Sequence, residues 1–310
     1  MVGPLTLAAS AAAFGVYGYR RPADLFRLAV HSRLRVAGFR SRRAALPDAT
    51  ISYWRGGRGE SPLLFVHGFG TEAAVNWSAQ LVACAPRFDA IAPDLPGFGA
   101  SDRPQANNIA VQVQCLLALL DRLRLPRVGL IGHSMGGWIS LAFASAFPER
   151  VDRLVVVDAA GLRFEPDLGL ERALLPETID DVRLLIEANF RRPPRIPAFV
   201  LRDLLRVARR DVGPRTALLE RLVYGDEHVD AHLHAITAPT LVVWGRRDTL
   251  TPPSLGERLA AGIPDARLVV FEDAAHSPNV ERPVRFNQLL LDFVSARDDE
   301  RWRPPVRQVG

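Results

Sequence analysis

From about residue 50 onward, short continuous apolar runs alternate with longer stretches whose apolar positions recur at helical spacing. The runs predict strands at Thr50–Tyr53, Leu63–Val66, Ala90–Ala92, Val128–Ile131, Leu154–Val157, Thr240–Trp244 and Arg267–Phe271. A run such as Leu154 to Val157 is apolar at every position, as a strand covered on both faces must be. The helical spacing predicts helices at Ala73–Ala83, Ile109–Arg122, Gly136–Phe147, Leu255–Ala261 and Val284–Val294. Strand followed by helix, repeated, gives an α/β protein with a mostly parallel, doubly wound sheet.

Two segments break this alternation. Residues 161–235 read as helical, rich in arginine and interrupted by Pro193, Pro194 and Pro197, which predicts a helical lid inserted between core segments 44–160 and 236–296. Residues 1–43 form an N-terminal arm: an uncharged, Ala- and Leu-rich run over 3–19, then eight arginines opposed only by Asp24. Within the arm, Leu25, Phe26, Ala29, Val30, Leu34 and Ala37 fall on one helical face, which suits a helix lying on anionic lipid. An apolar run with its positive charge on the following side is expected to hold the protein at a membrane, with the remaining domain in the cytoplasm. Residues 297–310 form a charged tail.

Composition narrows the chemistry. With 310 residues, 48% of them hydrophobic and 24% charged, the chain can bury a large core. The formal net charge is +5, yet no lysine occurs, so a P-loop and a Schiff-base mechanism are both excluded. The arginines are interleaved with Asp and Glu instead of gathered among aromatics, which argues against nucleic acid as a partner. Cys84 and Cys115 stand alone, without the spacing of a disulfide framework or a zinc site. His228, His232 and His234 lie near acidic residues, but Val229 stands where a zinc-protease helix would need glutamate.

The candidate chemistry centres on Gly132, His133, Ser134, Met135 and Gly136, a G-x-S-x-G sequence between a predicted strand and a predicted helix. A serine on so sharp a turn needs glycine two residues to either side, because a side chain there would collide with the neighbouring strand and helix. Serine also needs a base, and the base needs an acid. His276 follows the late strand ending at Phe271 and would meet Ser134 at the carboxyl edge of the sheet. Asp248 follows the strand Thr240–Trp244 and is the preferred acid; Asp158, after Leu154–Val157, is its rival. The backbone N–H groups of Met135 and Phe69 are the candidate oxyanion donors, worth on the order of 3 kcal/mol each. His67 is read as a brace for the Phe69 loop, and the stretch from Asp94 to Asp102 as scaffold.

HGFG at 67–70, DLPGFGASDRP at 94–104, GHSMGG at 132–137, VVWGRRDTLTP at 242–252 and AAHSPNVERP at 274–283 together resemble the α/β-hydrolase superfamily over about residues 50–296. The uncharged N-terminal run, the phrase from Val155 to Leu162 and the segment from Leu175 to Asp181 look like membrane-anchored monoacylglycerol lipases and related bacterial lipase-like esterases. The resemblance implies an α/β-hydrolase fold and hydrolysis of a small ester or lipid through an acyl-enzyme on Ser134. It implies His276 as base, Asp248 as orienting acid, and no metal or organic cofactor. A similar fold and triad serve carbon–carbon bond hydrolases of aromatic ring-cleavage products, for whose carboxylates the arginines of residues 161–235 would be a clamp. A non-catalytic, membrane-tethered binding module is the remaining alternative.

Overall fold

A computed structural model describes residues 20–104, 106–165, 169–210 and 212–296. Residues 3–19 and the tail 297–310 lie outside them. The strands are β1 (Arg40–Ala45), β2 (Thr50–Gly56), β3 (Pro62–Val66), β4 (Asp89–Pro93), β5 (Val128–His133), β6 (Val151–Val157), β7 (Thr240–Gly245) and β8 (Ala266–Phe271). They form one eight-stranded sheet in the order β1-β2-β4-β3-β5-β6-β7-β8. Strands β1 and β2 pair antiparallel with their neighbours, and the rest of the sheet is parallel.

The helices are α1 (Pro22–Val36), α2 (Ala73–Cys84), α3 (Ile109–Arg122), α4 (Met135–Ala146), α5 (Leu170–Leu174), α6 (Ile179–Asn189), α7 (Ala198–Ala208), α8 (Val212–Tyr224), α9 (Pro253–Gly262), α10 (Pro278–Glu281) and α11 (Pro283–Val294). Alternate side chains of the central strands feed two separate cores. Leu154 and Val156 pack with Val242 and Trp244 against α3, α4 and α9. Val155 and Val157 pack with Leu241 and Val243 against α1, α2 and α11. Both faces are therefore dry, which is why these runs show no polar alternation.

The expected elements are present with limits shifted by a few residues, and one strand is new. β1, Arg-Ser-Arg-Arg-Ala-Ala, starts inside the segment read as an arm, so the sheet begins at Arg40 instead of after residue 43. Every residue of β1 except Ala44 is exposed, so it carries no hydrophobic signature; it is a charged edge strand of the kind that blocks further pairing. The face of α1 expected to lie on lipid is also reassigned. Leu34 is buried, and Val30 and Ala37 pack beside it in the core, whereas Phe26 and Leu28 point to solvent.

Helices α5 to α8 occupy the insertion between β6 and β7. A capping box starts α6: Thr178 Oγ1 accepts the Asp181 N–H, and the Asp181 carboxylate accepts the Thr178 N–H. Helix α7 is tied to α1, because the buried Asp203 carboxylate accepts the Ala23 N–H at 2.9 Å and also pairs with Arg206 at 2.6 Å. Among the described residues no helix is long and apolar enough to cross a membrane.

Candidate active site

The site is built where β5 turns into α4. β5 is buried at every position, and Ser134 follows it with φ 54° and ψ −119°. A non-glycine residue in that region is strained, and it persists only where its surroundings dictate it. The glycines on either side show how they do so. A Cβ on Gly132 would sit 2.3 Å from the Gly136 carbonyl oxygen, and one on Gly136 would sit 2.2 Å from that of Val66. Strand, turn and helix can therefore close only around glycine, which leaves the Ser134 hydroxyl at the start of α4.

The turns after β7 and β8 bring the partners to this hydroxyl. His276 Nε2 lies 2.9 Å from Ser134 Oγ, and His276 Nδ1 lies 2.8 Å from Asp248 Oδ2. Asp248 is buried and surrounded by donors: Oδ1 accepts the N–H groups of Leu250 (2.8 Å) and Thr251 (3.0 Å), and Oδ2 accepts the Thr251 hydroxyl at 2.6 Å. Burial alone would raise its pKa, but the facing His276 and these hydrogen bonds outweigh burial and hold the carboxyl below its usual range. An ionised carboxylate on Nδ1 fixes the proton there and leaves Nε2 free to accept one. Asp158, the rival acid, ends β6 close by, but its Oδ1 accepts the Gly245 N–H at 2.8 Å.

The two oxyanion candidates border the same space. Met135 is the first residue of α4, so its N–H belongs to the group a helix leaves unsatisfied. The loop carrying Phe69 crosses the elbow so closely that a Cβ on Gly68 would come 3.3 Å from Ser134 Cβ. His67 braces that loop: Nδ1 donates to the Gly68 carbonyl at 2.7 Å, and Nε2 accepts the Leu95 N–H at 2.9 Å. Burial lowers its pKa to about 4, so the ring is neutral. Asp94 accepts the N–H groups of Ala73 and Ala100, both at 3.0 Å, which joins the turn after β4 to the start of α2.

Two supporting residues escaped the sequence reading. His133 Nε2 donates to the backbone carbonyl of His276 at 2.8 Å, and Asn76 Oδ1 accepts the Gly68 N–H at 2.8 Å while lying 3.3 Å from His133 Nδ1. Asn76 thus holds the Phe69 loop, and His133 beside it holds the backbone of His276. The available signal was weak: Asn76 is a polar residue at a core-facing position of a mostly apolar helix that also buries Gln80.

Above Ser134 lies a narrow cavity of about 70 Å³, open to solvent, with walls drawn largely from the insertion: Leu170, Leu174, Leu219, Leu222 and Val223. Phe69, Met135, Trp138 and Leu250 complete an apolar lining in which the polar members are Ser134, Thr251, His228 and His276. Among the described residues no arginine borders it. His228 stacks on Trp138 with ring centroids 5.1 Å apart, while His232 and His234 belong to a short 3₁₀ turn. Cys84 is buried and Cys115 half-buried, both as free thiols, and burial pushes each up to about 12.

Residues 61–283 match the family described as alpha/beta hydrolase fold. The chain is 33% identical over 254 residues to a 2-hydroxymuconate semialdehyde hydrolase of Pseudomonas sp. (strain CF600), covering 76% of this chain and 88% of that one. A solved structure of a membrane phospholipase A, a bacterial virulence factor, superposes with a TM-score of 0.82 at 29% identity, covering 94% of this chain and 96% of that one. A meta-cleavage product hydrolase from Pseudomonas fluorescens IP01 superposes with a TM-score of 0.75 at 27% identity, covering 82% and 97% respectively. The chain belongs to the alpha/beta hydrolase fold family, as a hydrolase with an eight-stranded, mostly parallel sheet.

Proposed function

We propose that the protein is a serine hydrolase of carboxylic esters with an apolar acyl chain, a lipase or esterase acting through an acyl-enzyme on Ser134. The observation that carries this reading is the hydrogen-bonded chain from Ser134 through His276 to Asp248 at the floor of an apolar cavity. In the mechanism it supports, Ser134 Oγ attacks the ester carbonyl as His276 Nε2 takes its proton. The oxyanion accepts hydrogen bonds from the N–H groups of Phe69 and Met135. Collapse expels the alcohol with the proton returned by His276, and a water activated by the same nitrogen releases the acid.

The relatives favour a second reading. One 33% identical sequence hydrolyses 2-hydroxymuconate semialdehyde, and ring-cleavage product hydrolases also appear among the structural neighbours. Against it stands the cavity wall: a carboxylate-bearing substrate wants a fixed cation, and no described arginine borders the site. Turnover of p-nitrophenyl esters of graded chain length, set beside a ring-cleavage dienoate, decides between the two. The ester reading expects kcat/KM for the best ester to exceed that for the dienoate at least about a hundredfold. The reverse ranking overturns it. Ser134→Ala is expected to abolish turnover and labelling by a fluorophosphonate.

We further propose that the protein works at a membrane surface, with the catalytic domain on the cytoplasmic side. The uncharged residues 3–19 lead into α1, whose exposed surface carries Phe26, Leu28, Arg27, Arg33 and Arg35. The similarity to a membrane phospholipase A over 94% of the chain supports it.

A further inference from the structure

Asp158 is a buried carboxyl at this site that the proposed chemistry leaves unused. It ends β6 with φ 43° and has no exposed surface. Oδ1 accepts the Gly245 N–H at 2.8 Å, but Oδ2 is buried without a hydrogen-bond partner. An oxygen of Asp158, an oxygen of Asp248 and a ring nitrogen of His276 all lie within 4.8 Å of one another.

The groups facing Asp158 make its charge state a physical question. From the turn after β7 comes Asp248, from α10 the carboxylate of Glu281, and from the turn after β8 the imidazole of His276. The Thr251 hydroxyl beside them is committed to Asp248 at 2.6 Å. Asp248 receives three donors from Leu250 and Thr251 and pairs with His276, so it is the member of the pair that ionises. Two carboxylates in one dry site cannot both be charged, and an anionic Oδ2 on Asp158 would have no donor. A proton on Oδ2 removes both difficulties at once, because it turns the orphan acceptor into a donor beside Asp248.

We propose that Asp158 is a neutral carboxylic acid that donates a hydrogen bond from Oδ2 to the Asp248 carboxylate, and so acts on His276 as a positioning residue. Burial first, and the Asp248 charge second, push its pKa well above the ordinary carboxylate range, in agreement with this geometry. The site then holds a single negative charge behind the imidazole, fixed by donors from β6 as well as from the β7 turn. The inference rests on Ser134 and His276 being the reacting pair, but its first test needs no substrate.

Infrared difference spectra of wild type and Asp158→Asn, both labelled with carbon-13 aspartate, are expected near neutral pH to show a protonated carboxyl band in the wild type that the variant lacks. Absence of that band overturns the proposal, whatever the enzyme hydrolyses. Asparagine tolerates positive φ, keeps an acceptor for Gly245 and keeps a donor for Asp248, so kcat/KM should remain within about threefold of wild type. Asp158→Ala removes the donor and should lower kcat about tenfold or more, with KM little changed and the acidic limb of the pH profile displaced. Equal losses in the two variants overturn the donor role.

Should the alanine variant fail to fold, stability decides. A raised folded pKa means stability present below the unfolded value of 3.8 and lost as pH rises towards the folded value. Asp158→Asn lacks that loss, so its stability relative to wild type must grow as pH rises from about 4 to about 7. A constant difference overturns the proposal.

Discussion

His133 shows how a side chain next to Ser134, the proposed nucleophile, can support the site from within the core. Its ring is buried and holds the backbone of His276 through Nε2, so a proton added at Nδ1 would bring a charge into the core. Burial, reinforced by the neighbouring His276, lowers its pKa from 6.5 to about 3. A depressed histidine pKa stabilises the fold fully above the unfolded value and is lost as pH falls through the folded one. Urea titrations of wild type and His133→Gln should therefore keep a constant stability difference above pH 6.5. Below it, the wild type should lose ground at up to about 1.4 kcal/mol per pH unit. A difference that stays flat between about pH 6.5 and 4 would show that His133 is not held neutral.

At the scale of elements, what matters is how the insertion is fixed to the rest. Helix α7 does not merely rest on α1: the Asp203 carboxylate takes up the Ala23 N–H, one of those α1 leaves open, and the Arg206 guanidinium reaches Asp24 at 3.4 Å. Asp203→Ala removes this side-chain cap and unpairs a half-buried arginine from one of its carboxylates. The expected cost is about 1–2 kcal/mol, concentrated in α1, with faster tryptic cleavage at Arg27 and Arg33 while thermal unfolding of the sheet changes little. Unchanged cleavage would mean that α1 is held by its packing alone.

Such ties explain what the sequence hides. Leu154 to Val157 is plain as a strand, but β6 begins at Val151, because Arg153 is buried over the Phe293 ring, 5.7 Å from its centroid, and a charged residue reads as a strand boundary. β1 is hidden for the opposite reason, since its arginines face water and only its pairing with β2 makes it a strand. At the site, the elbow, its histidine and its acid are legible because chain order and turn chemistry constrain them. The preference for Asp248 over Asp158 is less sharply marked, since both follow strands between Ser134 and His276, and it is the approach of the β7 and β8 turns that puts Asp248 on His276 Nδ1. His133 and Asn76 are illegible because their letters do not say which backbone group they will meet.

For the whole molecule, the open relation is between the hydrolytic domain and the segment that precedes it. The sheet and α1 mark where a truncation can be made. Removing residues 1–43 would strip Leu34 and Phe39, both fully buried, together with most of β1. Each lost apolar side chain costs about 1.5–3 kcal/mol, so that variant should fold poorly whatever the role of the apolar run. Removing residues 1–19 leaves α1, its tie to α7 and the whole sheet in place. If this run anchors the protein, full-length chain should sediment with membranes and the shortened chain should be largely released. The exposed Arg27, Arg33 and Arg35 of α1 should then leave a residual attachment to anionic vesicles that weakens as salt rises, about 1 kcal/mol per arginine near the surface. Hydrolysis of a short soluble ester should be equal in the two forms within about twofold, since the cavity and the proposed triad lie among residues 69–276. Equal partition of both forms between membrane and supernatant would end the anchoring proposal and leave the ester chemistry untouched.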